Sequence, residues 1–95
     1  MFSLFTVINN DVSLNELDEI FTDKVGILIR KHRKSKGLSI EALAGICEMN
    51  YSQISRIERG LVNCNLNSLG RIIWALEIDP ADIIPKYSEK APKMP

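Results

Sequence analysis

In the run Tyr51-Ser52-Gln53-Ile54-Ser55-Arg56-Ile57-Glu58-Arg59-Gly60, hydrogen-bonding side chains surround only two large aliphatic residues, Ile54 and Ile57. At helical spacing these two form a narrow buried stripe. The remaining flank, with Tyr51, Ser52, Gln53, Ser55, Arg56 and Arg59, is then free to meet another molecule. The chemistry on offer is recognition: hydroxyls, a carboxamide and two guanidinium groups that hydrogen-bond or pair with anions. Bond-making chemistry finds no support, because no nucleophile–base pair, phosphate loop or metal-ligand spacing is present. No catalytic residue, enzyme activity, cofactor or metal ligand is therefore expected. His32 has no second catalytic group near it in sequence, and Cys47 and Cys64 are too distant to make a metal set with it. Cys47 reads as a small core residue and Cys64 as inert.

The elements that must position this flank lie on either side of it. Ala42, Leu43 and Ile46 repeat at helical spacing, with Cys47 completing the stripe, and Ser39 is placed to cap that helix with Glu41 in its first turn. Three residues, Glu48-Met49-Asn50, separate the two patterns, which is the length of the turn in a helix-turn-helix. Asn50 is expected to cap the second helix. Upstream, Thr22 or Asp23 can cap a helix running to about Lys36, with Val25, Ile27, Leu28, Ile29 and His32 as candidates for its inner face and Gly37 as its stop. Downstream, Asn65 caps a helix whose core side is Leu66, Leu69, Ile72, Ile73 and Leu76, with Trp74 partly outward. Asp79-Pro80 starts a short last helix that Pro85 ends. Ile83, Ile84 and Trp74 form a candidate apolar patch for pairing two copies.

The pairs Leu43-Ala44 and Ile54-Ser55, followed by Ile57-Glu58-Arg59-Gly60, resemble in order and spacing the Cro and lambda-repressor (Xre-like) helix-turn-helix family. The likeness extends over residues 24–85. It implies an all-α fold, a compact five-helix lambda-repressor-like DNA-binding domain at residues 23–85 preceded by a short extension at 1–22. Mapped onto this sequence, the family's base-reading positions fall on Asn50, Tyr51, Ser52 and Arg56, and its phosphate-contacting positions on Lys36, Ser39, Gln53, Arg59, Asn63 and Asn65. Arg56 can bond the O6/N7 edge of guanine; Tyr51 can stack on a thymine methyl or bond phosphate; Gln53 contacts the backbone or reads adenine. The plainer alternative for Arg56 is a surface ion pair with Glu58 or Glu48. Glu58 is expected to pair with a basic residue of the first helix. Three positions depart from the family pattern: Glu48 where Gly is common in the turn, Ile40 where many relatives carry Gln, and Val62-Asn63 where restriction–modification controller proteins often carry Arg-Asn.

Composition sets the outer limits. The chain has 95 residues, 45% of them hydrophobic, enough for one small domain. Its formal net charge is zero, but the charges are segregated. Asp11, Glu16, Asp18, Glu19 and Asp23 come before any cation, and Arg30, Lys31, Arg33, Lys34 and Lys36 then follow closely. A local patch of this kind, rather than the sum, is what meets phosphate. No apolar run is long enough for a membrane span, and no signal peptide is apparent, so a cytoplasmic location is expected. Ser13-Leu14-Asn15-Glu16 has the form of a capping box for a short helix at residues 14–21. That extension is either a flap over the core or a surface for a second copy or another protein. Residues 86–95 are expected to be a disordered tail.

These observations lead to a sequence-specific DNA-binding transcriptional regulator: a homodimeric autoregulator, controller-type or phage-like repressor, reading an inverted repeat in double-stranded DNA. The alternative is the antitoxin of a toxin–antitoxin pair, holding a protein partner through Phe2, Leu4, Phe5 and Ile8.

Overall fold

The computed structural model describes residues 13–85. The N-terminal segment carrying Phe2, Leu4, Phe5 and Ile8, and the expected tail at 86–95, lie outside the described residues. Four α-helices follow in order: α1 (Leu14–Ser35), α2 (Ile40–Cys47), α3 (Tyr51–Glu58) and α4 (Leu66–Leu76). A single 3-10 turn, Pro80–Asp82, stands where a fifth helix was expected. The all-α expectation holds across the described residues, while the five-helix count becomes four. Asp79 caps the last turn through Oδ1 to the Ala81 N–H (2.9 Å), but only Ala81 to Ile84 separate Pro80 from Pro85. Too few residues remain to propagate an α-helix.

The first helix is also longer than expected. The sequence predicts a short helix at 14–21 and a second, capped by Thr22 or Asp23 and running to about Lys36, but α1 runs unbroken through Thr22 and Asp23 for 22 residues. The capping box at its start is present: the Ser13 N–H donates to Glu16 Oε1 (2.9 Å) and the Glu16 N–H to Ser13 Oγ (3.1 Å). Once a helix is nucleated, carrying Thr and Asp in its interior costs only tenths of a kcal/mol each, roughly, less than starting a second helix.

The core is one cluster formed by all four helices: Val25 and Ile29 of α1, Leu43, Ala44 and Cys47 of α2, Ile54 and Ile57 of α3, Ile72 and Leu76 of α4, closed by Ile83. α1 packs on α3, and α2 packs on both α3 and α4. The α1–α3 approach is close enough to require glycine. A Cβ added at Gly26 would sit 2.3 Å from the Ile57 carbonyl oxygen and 2.8 Å from that of Glu58. Several apolar residues expected inside face solvent instead, namely Ile27 (55% exposed), Ile46 (45%) and Leu66 (82%). Ile27 and Ile46 belong to apolar-rich turns, where spacing marks a stripe but leaves its rotational phase undecided, and Leu66 stands between Asn65 and Asn67 at the first position of α4. Ile83 is fully buried. It belongs to the core, and the three-residue pairing patch loses that member.

Candidate nucleic-acid interface

The α2–turn–α3 unit is built from local bonds at both ends. Ser39 Oγ accepts the Ala42 N–H (2.9 Å), capping α2. At its other end Glu48 adopts φ 57°, ψ 45°, the left-handed conformation that the family supplies with glycine. A residue far away in sequence braces this turn. Arg71 of α4 donates through Nη1 to the carbonyls of Cys47 (3.3 Å) and Glu48 (3.5 Å). Sequence reasoning missed Arg71, because nothing local marks a contact spanning 24 residues.

Asn50 then enters α3 from an extended conformation, and its N–H donates to Gln53 Oε1 (2.8 Å). The bond engages the carbonyl end of Gln53 and leaves its NH2 group as a donor. Ile54, Ile57 and Glu58 face inward. Glu58 takes a bidentate pair from Arg33 of α1, Nε to Oε2 at 2.6 Å and Nη2 to Oε1 at 2.9 Å, while Arg33 Nη1 donates to the Leu38 carbonyl (2.7 Å). The hydrogen bond to Glu58 raises the Arg33 pKa, against the lowering that burial brings. The expected partner of Glu58 on the first helix is therefore Arg33, and both side chains are almost wholly buried.

With Glu58 occupied, Arg56 has lost one of its two candidate ion-pair partners. Among the described residues the ion pairs are Arg33–Glu58 and Lys36–Glu77, so Glu48 does not hold it either. Arg56 is exposed, as are Asn50, Tyr51, Ser52 and Gln53. The four residues mapped to base reading thus lie together on one short helix and its cap, with their side chains open to solvent. Arg59, just past α3, bonds back through Nε to the Ser55 carbonyl (3.3 Å).

The residues mapped to phosphate contact are more scattered. Asn65 caps α4, its Oδ1 accepting the Ser68 N–H (2.8 Å), and so presents the free N–H groups of that helix start. Asn63 is exposed in the preceding loop and its Oδ1 accepts from Thr22 of α1 (3.1 Å). Lys36 instead bonds Glu77, the C-terminal cap of α4 (3.1 Å). Glu77 and Asn65 cap opposite ends of α4, so at a rise of about 1.5 Å per residue the Lys36 contact is roughly 18 Å along the helix from Asn65. Cys47 and Cys64 are both free thiols. Burial, with a smaller contribution from Cys47, pushes the Cys64 thiol up to about 11, so it is a poor nucleophile at neutral pH. Among the described residues no group of His, Cys, Asp and Glu is placed to hold a metal, and no helix is long and apolar enough to cross a membrane.

Comparison with known proteins identifies the family and the fold. A family model described as a helix-turn-helix domain matches residues 24–83. The sequence is 38% identical over 60 residues to the control protein C.BamHI of Bacillus amyloliquefaciens, covering 62% of this chain and 74% of that protein. Among solved structures, the restriction-modification controller protein C.AhdI from Aeromonas hydrophila is similar with a TM-score of 0.64 at 33% identity, covering 66% of this chain and 96% of that one. The clp gene regulator ClgR from C. glutamicum is similar with a TM-score of 0.64 at 25% identity, over 66% of this chain and 82% of its own.

Proposed function

This chain belongs to the helix-turn-helix domain family, and from that premise we propose that it is a DNA-binding transcriptional regulator of the controller type, acting as a homodimer on an inverted repeat. One observation carries the reading: the outer flank of α3, with Tyr51, Ser52 and Arg56, is exposed, and Arg56 has no ion-pair partner among the described residues. Seated in the major groove, Asn50, Tyr51, Ser52 and Arg56 read base edges, and Arg56 bonds guanine. Ser39, Gln53, Arg59, Asn63 and Asn65 hold phosphates on either side and fix the register. Lys36 joins them only by releasing Glu77. Trp74, 73% exposed beside Ile46 and Ile78 in an open groove, offers an apolar surface for the second copy. The protein acts in the cytoplasm, and its concentration sets operator occupancy.

Selection of bound duplexes from a randomised library tests this reading. The expected product is an inverted repeat with half-sites about one helical turn, roughly 34 Å, apart. Affinity for it falls steeply with salt, with a slope of about −0.9 per phosphate neutralised. Sedimentation of the protein–DNA complex should give two chains per duplex. A selected pool without any common sequence, or a salt-independent affinity, would contradict the proposal.

A further inference from the structure

We propose that Thr22 is a positioning residue for phosphate binding that works through Asn63, an inference that rests on the DNA-binding reading above. Thr22 lies on α1 just before the stretch matched by the family model, which begins at residue 24. Its hydroxyl donates to Asn63 Oδ1 across 41 residues of sequence (3.1 Å). Asn63 is exposed, two residues before the cap of α4. A carboxamide has one accepting and one donating end, and only the donating end binds an anion. With its oxygen held by Thr22, the side chain has its orientation fixed and its NH2 group left as the donor for an approaching phosphate. An unheld Asn63 would sample both orientations and lose that freedom on binding, which weakens the contact.

One further feature supports this placement. The loop passes directly against the same turn of α1: a Cβ at Gly60 would meet Asp23 Oδ1 at 3.0 Å and Asp23 Cα at 3.1 Å. The hollow between α1 and the loop is lined by Asn63 and Thr22 together with Asp18 and Glu19, so a phosphate bound to Asn63 must lie outside it, away from these carboxylates. The N-terminal half of α1, beyond the matched family core, becomes a strut for the Asn63 contact.

A phosphate contact does not depend on base sequence, so a mixed-sequence duplex at low salt is a sufficient probe. Thr22→Val should weaken binding about three- to tenfold, the range of one hydrogen bond, and Thr22→Ser should restore it. Asn63→Ala should weaken binding to the same degree, and adding Thr22→Val to it should change nothing more. Because Asn63 is uncharged, these variants leave the salt slope unchanged. Thr22→Ala removes the same hydroxyl with a better helix former and should lose binding to the same degree, a check that holds even if Thr22→Val fails to fold. Wild-type affinity in Thr22→Val, failure of Thr22→Ser to restore binding, or an equal loss in the Asn63→Ala background would each overturn the proposal. Wild-type protein that binds no duplex at all would remove the DNA-binding reading as well.

Discussion

The two sides of α3 are built by opposite rules. On the inner side Ile54 and Ile57 join the core, and Glu58 is enclosed and doubly bonded by Arg33, so every group there has a fixed partner. On the outer side Tyr51, Ser52 and Arg56 are exposed. An eight-residue helix is too short to persist alone in water. The outer flank therefore takes its shape from the inner one, through the close α1–α3 contact and the buried ion pair. Stability and recognition reside on one element but in different residues, and substitutions can separate them.

The largest effect is expected on the inner side, where α1 and α3 touch. Gly26→Ala drives a Cβ into two backbone carbonyls that cannot move independently. It should cost about 4 kcal/mol or more, in the upper tail of single substitutions, seen as loss of the cooperative thermal transition. A variant melting near the wild type would show that the helices can separate freely. Glu58→Ala comes next. It leaves the Arg33 charge buried without its partner, and stability should fall by about 3–5 kcal/mol in urea denaturation; a loss below about 1 kcal/mol would mean the pair is solvated. The smallest effect is at the turn joining the sides. Glu48→Gly relieves a left-handed residue, partly offset by greater freedom of the unfolded chain. It should stabilise by about 0.5–1 kcal/mol, and a fall in the urea midpoint would show that the Glu48 side chain does more than tolerate the turn.

The same division explains what could be read from the sequence. Features decided within four residues were legible: the Ser13/Glu16 box and the caps at Ser39, Asn65 and Asp79. The order of motifs gave the all-α architecture and the exposed flank of α3. Rotational phase was harder, because Ile27 and Ile46 lie beside other apolar residues and periodicity alone could not say which ones turn inward, while Leu66 is exposed at the first position of α4. The continuity of α1 was hidden because Thr22 and Asp23 are good caps that here serve as ordinary interior residues. Contacts such as Arg71 to the turn, Lys36 to Glu77 and Thr22 to Asn63 join residues 23 to 41 positions apart and leave no local trace.

The central claim is that the outer flank of α3 reads bases, and Arg56→Ala tests it most directly. The measurement is a comparison of wild-type and variant binding across every single-base change in the selected duplex, alongside a urea melt. The account predicts unchanged stability and a loss of about 1–3 kcal/mol of preference confined to one base pair in each half-site. Equal weakening on every duplex, or an unaltered preference profile, would contradict it.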